Sequence, residues 1–329
     1  MSKVESPPQN DYRSRNNYNA LIVKLGCRVV VCLIVIEMIV RASGIVSVPL
    51  YDVDSQIGYV PRAHQEGEFL HRNDWYFNDK SMPVPRNWEP SAHPNILLIG
   101  NSIIMGGNPF RQEEKLAPLL QRLVGSEISI WPVAVGGWTQ IKEMVYLDRH
   151  PEIVRSSSWF LWEYMSGGLS GATQWRGEYT FPTHQPIYAT WYAIRRYLIS
   201  KLFPDLAANE LPVVGSPNEQ NVLAFEKHVE SLKRSTDKKV AGVIWLYPTK
   251  AELEAARRGI DWLPERRVIE KVAREYDIKI IDIGSNLLWS EELYRADGVH
   301  PTIQGNHILA TILGEEINES IEPHLFVPP

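Results

Sequence analysis

A short apolar run that ends at a glycine constrains the fold of this chain more than any other feature. Residues 96–99 are all aliphatic and lie between Pro94 and Gly100, a pattern typical of a buried strand. Asn101 and Ser102 follow at once, and a helix-compatible segment comes after them. Such a turn places the Ser102 hydroxyl at the carboxyl edge of a sheet, where open α/β sheets bind ligands. Ser102 is therefore either the N-cap of the next helix or a functional side chain.

Strands and helices alternate along the rest of the chain. Further apolar runs predict strands over residues 127–134, 158–162, 240–247 and 278–283. Apolar residues at helical spacing predict helices over 111–124, 141–147, 188–203, 219–233, 251–258, 265–275 and 302–317. The alternation predicts an α/β fold, a three-layer α/β/α sandwich with a parallel sheet of about five strands. A chain of 329 residues is long enough for one such domain with additions.

The region before this domain divides into three parts. Residues 1–19 are polar and contain Pro and Asn, which predicts a disordered cytoplasmic tail. Residues 20–45 predict a single signal-anchor helix that is retained, and an amphipathic or core helix is the alternative. Residues 46–93 predict an extended arm packed on the core by its aromatic residues, or a strap that binds a partner. The core domain then covers residues 94–320, with an insertion over 165–215.

Charge around the apolar segment predicts where the domain lies. The basic residues near the N-terminus all precede the apolar run Val29–Ile36; they are Lys3, Arg13, Arg15, Lys24 and Arg28. By the positive-inside rule, the N-terminus stays in the cytoplasm and the domain lies outside it. We therefore expect a single-pass protein of a bacterial inner membrane, held there by its N-terminal helix, with its core domain in the periplasm or outside.

Composition excludes several other classes of function. The formal net charge of −5 gives no basis for nucleic-acid binding. The only cysteines, Cys27 and Cys32, lie in the predicted anchor, so the core can hold neither a disulfide nor a cysteine-based metal site. Histidines outside the turn motifs show no ligand spacing; they include His71, His93, His184 and His228. We expect no metal and no cofactor.

Three turns at predicted strand ends carry residues suited to nucleophilic catalysis. Because a serine alcohol is a poor nucleophile, Ser102 needs a base and the base needs an orienting acid. His300 can be that base, and Asp297 can fix its tautomer. The N–H groups of Ser102 and Gly137 are suited to bind the oxyanion that forms on the attacked carbonyl. Alternatively, Asp297 is only a turn acid and His300 only a loop residue bonded to its own turn.

With these turns the chain resembles the SGNH (GDSL-type) serine hydrolases over about residues 94–318. Gly100-Asn101-Ser102 is similar to the nucleophile block, with Asn101 where many members have Asp. Gly137, in Gly-Trp-Thr, is similar to the second block, and residues 297–302, Asp-Gly-Val-His-Pro-Thr, to the last. The resemblance implies esterase chemistry through an acyl-enzyme on Ser102.

One block departs from the family pattern. The third strand of the family usually leads into Gly-X-Asn-Asp, whose Asn donates to the oxyanion, whereas residues 161–164 here read Leu-Trp-Glu-Tyr. This ending is similar to that of the alginate O-acetyltransferase-like relatives, which modify bacterial exopolysaccharides outside the cytoplasmic membrane. In those relatives Asp and His precede the nucleophile, but here they follow it. Loss of one oxyanion donor typically costs about 3 kcal/mol of transition-state stabilisation.

Five residues near these turns are candidates for a substrate pocket: Asn101, Trp138, Gln140, Glu163 and Tyr164. Packing is the alternative role for Trp138, Gln140 and Tyr164. Glu163 either pairs with a basic side chain at the sheet edge or touches the substrate.

The resemblance implies O-acyl transfer or hydrolysis, foremost of acetyl groups, on a polysaccharide or other acylated carbohydrate outside the cytoplasm. A membrane acyl-donor protein is an expected partner if the enzyme is a transferase. The alternative is a non-catalytic component of polysaccharide binding or assembly that keeps the same fold. The intact Ser102, Asp297 and His300 argue against that alternative.

Overall fold

The computed structural model describes residues 10–90, 94–107, 109–171, 175, 177–199, 202–203, 218–235 and 242–325. Its first element, helix α1, spans Asn10–Ala42. Residues 10–19, part of the tail that the sequence predicts to be disordered, are helical, whereas residues 1–9 lie outside the described residues. The sequence predicted a spanning anchor over residues 20–45, and α1 covers most of that range. Within the described ranges, however, no helix is both long enough and apolar enough to cross a membrane.

The arm consists of two antiparallel hairpins. Strand β1 (Tyr51–Asp54) pairs with β2 (Gly58–Pro61), and β3 (Gln65–Phe69) pairs with β4 (Asn73–Phe77). Most of its aromatic side chains are buried and several join the main hydrophobic core; the buried ones include Tyr51, Tyr59, Trp75, Phe77 and Trp88. The ring of Trp88, for example, packs edge-on against Trp131 of the core domain, with 4.7 Å between centroids.

Five parallel strands form the central sheet. They are β5 (Asn95–Gly100), β6 (Ser129–Ala134), β7 (Trp159–Tyr164), β8 (Gly242–Leu246) and β9 (Lys279–Asp282), in the order β6-β5-β7-β8-β9. Side chains along a strand alternate between its faces, so Leu97 and Ile99 join one hydrophobic cluster while Ile96 and Leu98 join the other. This pattern explains why the strands read as unbroken apolar runs in the sequence.

Helices cover both faces of this sheet. One face carries α4 (Gln140–Arg149), α5 (Pro151–Arg155), α7 (Glu219–Ser235), α9 (Arg266–Glu275) and part of the arm. The other carries α2 (Ser102–Met105), α3 (Leu116–Val124), α8 (Lys250–Arg257) and α10 (Ile303–Leu325). The prediction of a three-layer α/β/α sandwich with a parallel sheet of about five strands is confirmed.

Two predicted helices differ in their extent. The segment predicted over 111–124 begins with a 3-10 turn, Gln112–Glu114, and becomes α-helical only at Leu116. In the insertion, α6 spans Ala189–Ala193 and continues as a π-helical segment, Ile194–Ile199. Residues 204–217 of the insertion and residues 240–241 of the predicted fourth strand lie outside the described residues.

Candidate active site

The Ser102 side chain contacts a histidine rather than capping its helix. Asn101 is the N-cap of α2, because its Oδ1 accepts the N–H of Ile103 at 3.1 Å. The Ser102 Oγ lies 2.9 Å from Nε2 of His300, a residue 198 positions further along the chain. Of the two interpretations of Ser102 left open by the sequence, the structure therefore excludes the N-cap.

The turn that carries His300 also orients its ring. Asp297 Oδ1 accepts the N–H groups of Val299 and His300 at 3.0 and 2.9 Å, and Oδ2 lies 3.2 Å from His300 Nδ1. Burial acts to raise the pKa of Asp297, but the two backbone N–H groups and the imidazole outweigh it and hold the pKa below its ordinary value. An ionised Asp297 accepts the Nδ1 proton, which leaves Nε2 to accept the proton of the Ser102 hydroxyl.

Contacts from the end of β8 hold this turn in place. Tyr247 Oη donates to the carbonyl of Val299 at 2.8 Å, and the Lys250 N–H donates to the carbonyl of Gly298 at 2.7 Å. Gly298 has φ +69°, a left-handed conformation that favours glycine. The turn is therefore held by hydrogen bonds from the end of β8 and by the left-handed conformation of Gly298.

The glycine turn after β6 meets Ser102 through Gly136. A bond of 3.0 Å from the Trp138 N–H to the Val135 carbonyl closes the turn, and Gly137 takes φ +75° at its third position, as a type II turn requires. A Cβ built on Gly136 would lie 3.7 Å from the Cβ of Ser102, whereas one on Gly137 would face Tyr59. The turn thus lies beside Ser102 as expected, while the role of the Gly137 N–H as an oxyanion donor stays a prediction.

Tyr59 of the arm supports the same turn, a contact that the sequence did not indicate. Its Oη donates to the Gly136 carbonyl at 2.7 Å, and its own carbonyl accepts the indole N–H of Trp138 at 3.1 Å. The Tyr59 ring stacks on Phe181 of the insertion with 3.6 Å between centroids. The arm therefore contributes to the positioning of the site and is more than a cover for the core.

The structure corrects both predicted roles of Glu163. Its side chain is fully buried, so it does not touch a substrate, and its Oε2 accepts the Asn101 N–H at 3.1 Å instead of pairing with a base. A Cβ on Gly100 would lie 2.3 Å from that oxygen, so only glycine leaves room for the carboxyl. Burial raises the pKa of Glu163 well above its usual range, which favours the protonated form of the carboxyl.

The other pocket candidates are interior residues as well. Asn101 is 8 % exposed, and Trp138, Gln140 and Tyr164 are 4 % or less. Gln140 Nε2 donates to the Glu163 carbonyl at 2.8 Å, and the Trp138 ring packs on Tyr146. The sequence made these residues pocket candidates because they lie near strand ends. Position along the chain does not show whether a side chain there is exposed at the sheet edge or buried beneath it. That these side chains line a substrate pocket stays a prediction.

A second carboxyl, that of Glu143, is also buried in the protein interior. Glu143 on α4 is fully buried, and its Oε2 accepts the indole N–H of Trp162 at 2.7 Å. Burial raises the pKa of Glu143 to about 8, partly offset by the Trp162 hydrogen bond. The sequence gave no signal for it, since its position among the apolar residues of α4 is that of any helix residue.

In the part of the chain that the structure describes, no three His, Cys, Asp or Glu side chains are grouped so that they could hold a metal ion. The arrangement of hydroxyl, imidazole and carboxylate suits nucleophilic attack on a carbonyl carbon.

No protein-family model matches the chain, and no curated protein matches it significantly. Among solved structures, a lipase/acylhydrolase from Enterococcus faecalis is 14% identical with a TM-score of 0.41, over 69% of this chain and 96% of that one. A carbohydrate acetylesterase family member from Sinorhizobium meliloti is 12% identical with a TM-score of 0.39, over 70% and 99%. A GDSL-like lipase from Bacteroides thetaiotaomicron is 17% identical with a TM-score of 0.38, over 69% and 89%. Values this low carry no argument about the activity of this chain, which has to be inferred from the geometry around Ser102.

Proposed function

We propose that the protein is a serine-dependent acyl esterase or O-acyltransferase of the SGNH type. The observation that carries this proposal is the Ser102 Oγ to His300 Nε2 distance of 2.9 Å, together with the His300 Nδ1 to Asp297 Oδ2 distance of 3.2 Å. Hydroxyl, base and orienting carboxylate are thus within hydrogen-bond reach in one chain of contacts.

In the first half-reaction, Ser102 Oγ attacks the carbonyl carbon of an ester while its proton passes to Nε2 of His300. The tetrahedral intermediate collapses, the ester C–O bond breaks, and the imidazolium returns the proton to the leaving alcohol. Asp297 stays ionised and stabilises the imidazolium in between. The product is an acyl-enzyme on Ser102.

In the second half-reaction, water or a sugar hydroxyl gives its proton to His300 and attacks the acyl carbon. The acyl group leaves Ser102, which regains its proton from the imidazolium. Water yields a carboxylic acid and a sugar hydroxyl yields a new ester, so the exclusion of water decides between hydrolysis and transfer.

The oxyanion of each intermediate needs backbone donors. The Ser102 N–H is suited to this role, since it opens α2 and has no acceptor within that helix. We assign the second donor to the Gly137 N–H, in the turn that lies beside Ser102.

We propose acetyl groups of an extracytoplasmic polysaccharide as the substrate, with the domain outside the cytoplasm and α1 holding it at the inner membrane. The support comes from the Trp-Glu ending of the third strand and from the basic residues that precede the apolar run. A transferase of this kind would take its acyl group from a membrane acyl-donor protein.

A chromogenic acetyl ester tests the chemistry. We expect a burst of chromophore followed by turnover in the parent, and neither in the matched variant Ser102→Ala. Equal rates for the two proteins would contradict the enzyme and leave the non-catalytic binding component as the better account.

A second assay separates transfer from hydrolysis. Given an acetyl donor and an acetyl-free oligosaccharide, a transferase yields acetylated sugar by mass spectrometry, and an esterase yields only acetate. A C-terminal reporter that is active only outside the cytoplasm tests the location.

A further inference from the structure

In the part of the insertion that the structure describes, one face is apolar and exposed. Its exposed large side chains recur at helical spacing, and we call them the insertion stripe: Ile187, Tyr188, Trp191, Ile194, Leu198, Leu202 and Phe203. Ile187 is 80% exposed and Tyr188 71%. Adjacent exposed apolar side chains of this size mark a surface that contacts another protein or a membrane.

The opposite side of the same segment faces the protein. Tyr192 is buried, and Arg196 donates from Nη1 to the Tyr179 carbonyl at 2.8 Å and to the Tyr192 hydroxyl. The segment is therefore docked by one side, and the insertion stripe is the side left open.

The stripe begins where α1 meets the insertion. Glu37 Oε1 and Oε2 accept the N–H groups of Ala189 and Thr190 at 2.7 and 2.9 Å. Arg41 Nη2 donates to the carbonyls of Pro186 and Ile187. These bonds fix the stripe beside the C-terminal end of α1, at the level of Glu37 and Arg41.

Helix α1 is apolar and exposed around its whole circumference just before that level. The side chains of Val29, Val30 and Val31 are all about half exposed or more, as are those of residues 33–36. Successive residues of a helix point 100° apart, so these positions cover every direction. A protein partner would cover one side of such a helix, whereas lipid covers all of them.

We propose that the insertion stripe and the apolar part of α1 together form one lipid-binding surface, with the stripe lying in the interfacial region of a phospholipid bilayer. Tyr188 and Trp191 suit that depth, because their rings have an apolar body and a polar edge. The exposed Arg195 next to them suits anionic headgroups. The inference shares the proposed membrane location but does not depend on the serine chemistry.

Such a surface fixes the orientation of the enzyme. A domain joined to a membrane through a single helix can rotate about it, whereas two contacts, α1 and the stripe, hold the domain in one pose. The hydrogen bonds of Glu37 and Arg41 make the two contacts one rigid unit.

Environment-sensitive labels test the proposal on the full chain. The exposed Cys27 and Cys32 are replaced by serine, and a single cysteine is placed by Leu33→Cys, Leu198→Cys or, as control, Leu287→Cys. Leu287 is 100% exposed but lies in a separate cleft. Each protein is labelled with NBD and mixed with vesicles of phosphatidylcholine and phosphatidylglycerol. We expect a blue shift and a several-fold brighter signal at positions 33 and 198, and none at 287.

A response at position 33 alone would overturn the proposal, as would no response at either position. A response at 198 without lipid, together with a dimer by mass photometry, would also overturn it, because a second copy would then cover the stripe. Hydrolysis of a soluble ester, measured on the same proteins, should not change, so a failure here is separate from a failure of the proposed function.

Quenching by brominated phospholipid gives a readout without labels. We expect Trp191→Phe to lose part of the quenched tryptophan fluorescence and the matched variant Trp262→Phe to lose none, since Trp262 is buried beside the separate cleft. Equal quenching in the two variants would contradict an interfacial position for Trp191.

Discussion

Glu163 Oε2 accepts the backbone N–H of Asn101, the residue before Ser102, at 3.1 Å. Its other oxygen, Oε1, is buried and has no hydrogen-bond partner among the residues that the structure describes. The carboxyl therefore positions the backbone of the turn that carries Ser102, from a place in the protein interior.

Glu163→Gln and Glu163→Ala separate this role from that of a charge. The amide has the shape of the neutral acid and keeps an acceptor for the Asn101 N–H, so we expect kcat and its pH profile to stay close to those of the parent. Alanine leaves that N–H unpaired and should cost about 1–3 kcal/mol in the free energy of unfolding, with a lower kcat and an unchanged KM. Loss of ester turnover in Glu163→Gln would show instead that the charged form of Glu163 is required.

Asp297→Asn removes the carboxylate that fixes the His300 tautomer. An amide at this position can donate to Nδ1, which favours the ring form whose Nε2 carries the proton and cannot accept one from Ser102. We expect kcat to fall by about 10²–10⁴-fold, with thermal unfolding changed far less. The measurement is the rate on the chromogenic ester, and a fall of less than about threefold would rule out Asp297 as the orienting acid.

Gly136→Ala probes the space beside the nucleophile. The new methyl group would meet only Ser102 Cβ at 3.7 Å and Met105 Sδ at 3.9 Å, which are ordinary contacts, so the fold should be kept. It would, however, occupy space next to the attacked carbon, and we expect kcat/KM to fall at least tenfold, equivalent to ~1.4 kcal/mol. Gly26→Ala in α1, where a Cβ meets nothing within 4 Å, is the matched control. Equal activity of both variants would place the substrate elsewhere.

Tyr59→Phe tests whether the arm positions the glycine turn. It removes the hydrogen bond to the Gly136 carbonyl and keeps the stacked ring, so the stability cost should be about 1 kcal/mol while kcat falls further than stability alone explains. Tyr76→Phe, in strand β4, is the control and should change neither. A kcat unaffected by Tyr59→Phe would confine the arm to packing.

Glu143 makes the stability depend on pH. Its pKa is about 8 in the folded protein and 4.5 in the unfolded chain. Between these pH values the folded state binds the Glu143 proton more tightly than the unfolded chain does. The contribution of Glu143 to the free energy of unfolding is therefore fully present below pH 4.5 and falls as the pH rises to 8. The slope from this group is at most about 1.4 kcal/mol per pH unit. We expect Glu143→Gln to flatten this slope and to be the more stable protein at pH 8 in urea titrations, and identical slopes would show that burial does not shift this pKa.

The sheet and the triad were accessible from sequence for physical reasons. Strands buried on both faces have no polar alternation, so residues 96–99 stood out, and Ser102 follows directly at a strand end, where functional side chains collect. Asp297 and His300 stood out because they lie three positions apart in one turn motif. Tyr59 and Glu163 were not accessible in the same way. Each acts on a backbone group 77 or 62 positions away, and nothing local to either residue shows which peptide it will meet. The predicted pocket role likewise required exposed side chains. Whether a side chain at a strand end is exposed depends on the helices and loops that pack over it, which its own position in the sequence does not show.

The separation of 198 positions between Ser102 and His300 has a consequence for the life of the chain. The nucleophile is synthesised early, but its base joins it only when the last strand has paired and the turn before α10 has closed. A nascent or truncated chain that lacks residue 300 therefore lacks the contact between Ser102 and His300. On the proposed chemistry, ester turnover reports on completed folding, and proteolytic clipping ahead of Asp297 would abolish it although all five strands of the sheet precede the cut.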